Sequence, residues 1–160
     1  TFGTDAFFWV DIGIFRNESD MFRFQKWPNP EAVHALPKNK FLLLNVEKFT
    51  EDEQGVEAGA SLGVDFYFAN RLGGGIIGGF KGAIFQWHKV FYQTLDEYFE
   101  AGRFAGKDQS IMATVCLYRR PELCHLVLPP PHWILKTKTQ TTENPWFYLQ
   151  DYLLSGPPHS

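Results

Sequence analysis

Residues 6–13 read Ala6-Phe7-Phe8-Trp9-Val10-Asp11-Ile12-Gly13, an apolar run closed by a carboxylate and a glycine. A run of strand length without polar alternation suits a strand covered on both faces. Residues 6–12 are therefore predicted to form a buried central strand in a mixed or parallel sheet of an α/β fold. In open α/β sheets ligands gather beyond the carboxyl ends of strands, which makes Asp11 the first candidate functional residue. A carboxylate there can bind a divalent cation that neutralises a diphosphate. It can equally cap the strand end or pair with Arg16. The run starts soon after Thr1, where no methionine stands, and a central strand needs a neighbour. A segment before Thr1 is therefore expected to belong to the fold.

Outward from this strand, Pro30 opens a short helix over residues 31–36, and residues 41–46 form a second strand. Residues 47–63 form a surface loop with room for a helical turn, residues 65–69 a short strand, and residues 73–79 a glycine-rich turn and strand. Ile84, Trp87, Phe91, Leu95 and Tyr98 recur at helical spacing and mark a long amphipathic helix that stops near Gly102. A further helix starts at Asp108, an apt N-terminal capping residue, and runs to about Arg119 before Pro121. A strand over 125–128 ends at Pro129-Pro130-Pro131. Residues 136–144 read as a loop and 145–154 as a terminal helix. With 160 residues the chain is the size of one domain spanning 1–160.

Composition narrows the function. Hydrophobic residues make up 44% of the chain and aromatic ones 17%, which excludes disorder and supplies flat surfaces for a core or for sugar rings. A net charge of −3 gives no basic field to hold a nucleic acid backbone. No apolar run approaches the roughly 18 residues of a membrane-spanning helix. Cys116 and Cys124 fit no zinc or redox motif and read as buried thiols or as one disulfide. The histidines show no zinc spacing. Only His132, in a proline-bounded loop that could fold back over the strand-end site, joins Asp11 as a candidate metal ligand.

Two further motifs bear on chemistry. Gly73-Gly74-Gly75 and Gly78-Gly79 flank Ile76-Ile77, so something approaches the main chain closely there, either a packed helix or a ligand. This is neither a dinucleotide fingerprint nor a Walker loop. In Gly106-Lys107-Asp108-Gln109, Asp108 caps the next helix or accepts bonds from sugar hydroxyls, and Lys107 offers a cation to phosphate or lies in solvent.

In this order, Trp9-Val10-Asp11-Ile12-Gly13-Ile14-Phe15-Arg16-Asn17, the Gly-Gly-x-x-Gly-Gly run and Gly106-Lys107-Asp108-Gln109 resemble the HtrL/YibB-type proteins associated with bacterial lipopolysaccharide-core gene clusters. More distantly they are similar to GT-A glycosyltransferases of the glycogenin and lipopolysaccharide galactosyltransferase kind. The resemblance covers roughly residues 7–115. It implies a partial GT-A (Rossmann-like) mixed sheet flanked by helices, with the first nucleotide-binding βαβ unit lying before Thr1; a chain without that unit would bind donor poorly. It implies transfer of a sugar from a nucleoside-diphosphate sugar to a hydroxyl of a glycan or glycolipid acceptor. Asp108 and Gln109 would be catalytic, Asp11, Gly74, Gly75, Gly78, Gly79 and Lys107 would bind the nucleotide-sugar, and Asp11 with His132 would hold manganese or magnesium. A membrane-associated or secretory-pathway setting goes with such chemistry. One departure is plain: where many GT-A enzymes carry D-x-D, this chain has Asp11-Ile12-Gly13. The alternatives are a non-catalytic carbohydrate-binding domain on the same fold and a different α/β enzyme, such as a hydrolase. The transferase reading requires Asp11 and Asp108 to face one cleft across the glycine bend.

Overall fold

The computed structural model describes residues 4–15, 22–56, 62–131, 133 and 144–156. Four strands, β1 (Ala6–Val10), β2 (Phe41–Asn45), β3 (Leu72–Phe80) and β4 (Cys124–Val127), form one sheet in the order β1-β3-β2-β4. β3 runs antiparallel to both β1 and β2, while β2 and β4 are parallel, so the sheet is mixed. Helices cover both faces. β2 shows why: its Phe-Leu-Leu-Leu-Asn sequence is buried throughout, and successive side chains enter opposite layers. Leu42 and Leu44 join one core with Tyr148, Leu149 and Leu153 of α5 (Tyr148–Ser155), while Phe41 and Leu43 join another with Trp87, Met112 and Val115.

The first face also carries α1 (Pro30–His34), which Asn29 caps at the Glu31 N–H; the Asn29 amide also donates to the Leu154 carbonyl, tying α1 to α5. The loop before β3 contains the anticipated helical turn, α2 (Glu51–Gln54), closed by a reciprocal capping box between Thr50 and Glu53. Glu53 in turn receives both Nε bonds of Arg71, at 3.1 and 3.0 Å.

On the second face lie α3 (Lys81–Glu100) and α4 (Asp108–Thr114). Trp87 of α3 stacks on Phe41 at 4.6 Å between centroids. Tyr98, wholly buried, donates to the Ser110 carbonyl at 3.2 Å and shares a 2.7 Å hydrogen bond with Thr114 Oγ1, which joins α3 to α4. Among the described residues no helix is long and apolar enough to cross a membrane.

Three expectations are corrected. β1 is an edge strand rather than a central one: Phe8 and Val10 pack on the core, but Phe7 is 41% and Trp9 57% exposed. Its aromatic residues mimic a strand buried on both sides, because aromatic run and half-exposed edge share one hydropathy pattern. The glycine run is no turn; it lies inside the nine-residue β3, between β1 and β2. Residues 65–69 form a turn instead of a strand, since the Asp65 carboxylate accepts the Tyr67 N–H at 2.9 Å and Ala69 N–H bonds to the Phe66 carbonyl at 3.0 Å. The helix from Asp108 does run to Arg119 as expected, α-helical to Thr114 and then a π-helical turn over Val115–Arg119.

Cys116 in that π turn is bonded to Cys124 at the start of β4. The closed loop is short, so the chain-entropy gain is modest, about 2 to 3 kcal/mol. Replacing both cysteines with serine is expected to lower the stability by that amount in urea titration. An unchanged midpoint would show that the bond adds nothing to the folded chain.

His125 on β4 shares a 3.0 Å hydrogen bond with the Tyr152 hydroxyl. Burial, and then the charge of Lys40, hold its pKa below the ordinary value. The unfolded ring takes up a proton near pH about 6.5, where the folded ring resists it. Stability from the neutral ring is thus full above that pH and is lost as the pH falls toward the lowered folded value. The urea midpoint is expected to drop more between pH 7.5 and 5.5 in the wild type than in His125→Gln, and equal drops would contradict this.

Candidate functional site

The site is built where β1 stops. The Asp11 N–H donates to the Gly75 carbonyl at 2.9 Å, which holds the end of β1 against β3. The Asp11 side chain turns back, and its Oδ1 accepts the Gly13 N–H at 2.7 Å, capping a 3-10 turn over Ile12–Ile14. The capping reading of Asp11 therefore holds, and it fixes the carboxylate at the strand end. A Cβ at position 13 would lie 3.1 Å from that same oxygen, so glycine there leaves the carboxylate room.

Gly74 and Gly75 of β3 form the floor. A Cβ on Gly75 would stand 3.0 Å from Ile14 Cγ2, and one on Gly74 would stand 3.6 Å from Asp108 Oδ2. The Asp108 carboxylate thus overlies Gly74. Asp108 is the first residue of α4 rather than its cap, and its Oδ1 accepts the N–H of Gln109 at 2.8 Å.

These groups line one cleft of about 490 Å³, together with Trp9, Gly13 and Ile14 and with Asn144, Trp146 and Phe147 of the turn before α5. Asp11, Gly74, Gly75, Asp108 and Gln109 come from three separate stretches of sequence, and folding brings all five together as the sequence reading required.

Three other candidates lie elsewhere. Gly78 is crossed by the main chain of β1 and lines an adjoining apolar groove of about 430 Å³ against α3, which shares Trp9 with the cleft. Gly79 sits against the backbone of β2, where a Cβ would approach the Lys40 carbonyl at 3.1 Å. The Lys107 ammonium donates to the carbonyls of Phe66, Tyr67 and Ala69 at 3.4, 3.0 and 2.9 Å, so it pins the 65–69 turn and does not line the cleft. His132 lies outside the described residues.

Sequence reasoning missed Asn144, Trp146, Phe147 and Trp9 as cleft residues. Asn144-Pro145 was readable as a helix start, and Asn144 Oδ1 does accept the Trp146 N–H at 3.1 Å. Nothing local said that this turn would return to the end of β1. Among the described residues no group of three or more histidine, cysteine or acidic side chains converges as a metal site. Asp11 and Asp108 are the acidic residues of the cleft lining. Magnesium sites that keep several waters are commonly held by about one or two carboxylates plus substrate phosphates, a role open to the Asp11 carboxylate at the strand end.

Fold and cleft together define a mixed α/β protein with an acid- and aromatic-lined cleft at the carboxyl end of an edge strand. Residues 1–135 match the HtrL_YibB family, described as a bacterial protein of unknown function, and the chain belongs to that family. It is the family that the Asp11, glycine-run and Asp108 motifs pointed to. No curated protein and no solved structure matches the chain.

Proposed function

We propose that this protein is a glycosyltransferase on a GT-A-like fold, moving a sugar from a nucleoside-diphosphate sugar to a hydroxyl of a glycan or glycolipid acceptor. The observation that supports it is the convergence of Asp11, Gly74-Gly75 and Asp108-Gln109 on one cleft at a strand end. In the transfer, the bond from the anomeric carbon to the diphosphate oxygen breaks and the diphosphate leaves with the electron pair. A bond from the anomeric carbon to the acceptor oxygen forms, and the acceptor proton passes to a carboxylate or to water. Positive charge spreads over the sugar meanwhile, so negative groups beside it and fixed positioning lower the barrier.

Asp108 stands over the glycine floor with Oδ1 engaged by Gln109 N–H, which leaves Oδ2 directed at the space above Gly74. It is the carboxylate assigned to the anomeric carbon and the sugar hydroxyls. The Gln109 side chain offers both a donor and an acceptor to those hydroxyls. Asp11 would hold a divalent cation, which when bound supplies charge neutralisation to the diphosphate.

Calorimetric titration of the full-length protein, any segment preceding Thr1 included, with UDP-, GDP- and ADP-sugars, with and without manganese, tests the assignment. Binding heat with at least one donor, strengthened by manganese, is expected. A folded protein that gives no heat with any donor would favour the second reading, a carbohydrate-binding domain without catalysis, for which glycine at position 13 in place of a second acid is the specific observation.

A further inference from the structure

We propose that the cleft contains a hexopyranose subsite that works without a nucleotide, with the indoles of Trp9 and Trp146 as its stacking surfaces. The proposal deepens the transferase reading and rests on it for assigning the cleft to a carbohydrate. A pyranose presents apolar C–H faces and a rim of hydroxyls, so its binding calls for flat aromatic surfaces beside charged acceptors. The cleft pairs them: Trp9 and Trp146 with the carboxylates of Asp11 and Asp108.

Trp9 lies two residues before Asp11, on the exposed face of β1. It remains 57% exposed while Phe8 and Val10 on the other face pack into the core. Trp146 also lines the cleft, partly buried against that core. Its turn is fixed by two hydrogen bonds, from Trp146 N–H to Asn144 Oδ1 at 3.1 Å and from Phe147 N–H to the Asn144 carbonyl at 2.9 Å. An aromatic surface held this way loses little freedom when a ring settles on it.

Two further features favour a neutral sugar. The described lining carries two carboxylates and neither lysine nor arginine, a field that accepts hydroxyl donors and disfavours a bare phosphate. At Gly74 and Gly75 the lining is main chain, which leaves space that side chains would take.

The test is proton NMR of the protein, free of nucleotide, with the methyl glycosides of glucose, galactose, mannose and N-acetylglucosamine. At least one is expected to show saturation transfer, with its ring C–H protons shifted upfield by an indole ring current, a signature that a purely structural tryptophan would not produce. Trp146→Ala should weaken binding at least tenfold and abolish the shift, and Trp146→Phe should retain binding. Trp9→Ala, at an exposed edge position, serves as the second variant should Trp146→Ala not fold, and should weaken binding likewise. Absence of saturation transfer from all four glycosides overturns the subsite, as does binding that survives loss of the indole in any folded alanine variant. Sugar binding without turnover of any donor leaves the subsite standing and removes the transferase; donor turnover without a ring-current shift does the reverse.

Discussion

Gly78→Ala is expected to lower the stability by about 4 kcal/mol or more, enough to leave little folded protein. Gly78 sits in the middle of the sheet, paired with Phe8 of β1 on one side and Leu42 of β2 on the other. A Cβ there would lie 2.2 Å from the Phe7 carbonyl oxygen and 2.8 Å from the Phe8 Cα. Both are main-chain atoms that cannot rotate aside, and the residue's φ of 155° is one that side-chain-bearing residues rarely adopt. Gly74→Ala makes the control, because its Cβ would meet Asp108 Oδ2 at an ordinary 3.6 Å. Circular dichroism and thermal melting should show Gly74→Ala folded and Gly78→Ala largely unfolded. A Gly78→Ala melting point within a few degrees of the wild type would mean that β1 and β3 do not approach as described.

Asp108→Asn is expected to reduce sugar transfer by about 10²- to 10⁴-fold, the range associated with loss of a positioned acid–base group. The fold should be indifferent to the change. Asparagine keeps the Oδ1 that accepts the Gln109 N–H, and residue 108 is exposed, so the melting temperature should match the wild type. The substitution removes the negative charge above Gly74 and little else. Wild-type rates in Asp108→Asn, measured with the donor that binds best, would take Asp108 out of the chemistry.

Much of the architecture was legible because it rests on local patterns. The period of Trp87, Phe91 and Tyr98 announces α3, the apolar Phe41–Asn45 run announces β2, and Asp108 marks the start of α4 within a residue. What escaped the sequence was set by partners distant along the chain. Whether β1 is central or at an edge depends on strand order, which its own residues do not encode. The turn at 65–69 combines a local Asp65 bond with three carbonyl bonds from Lys107, about forty residues on. The candidate site divides the same way. Asp11, Gly74, Gly75, Asp108 and Gln109 carry signals that are weak singly and informative in their order, and they do converge, whereas Asn144 read as the end of a loop and Trp146 as part of the terminal helix, with nothing local to place them at the strand end.

The bare backbone beneath the cleft bears on how this protein could be re-engineered. Where two glycines make the base, no side chain is available to exchange for a different preference, and any addition consumes the space itself. Altering what the protein accepts would have to proceed through Trp9, Gln109, Asn144 and Trp146, whose replacement alters the contour and polarity of the cavity while the sheet stays intact.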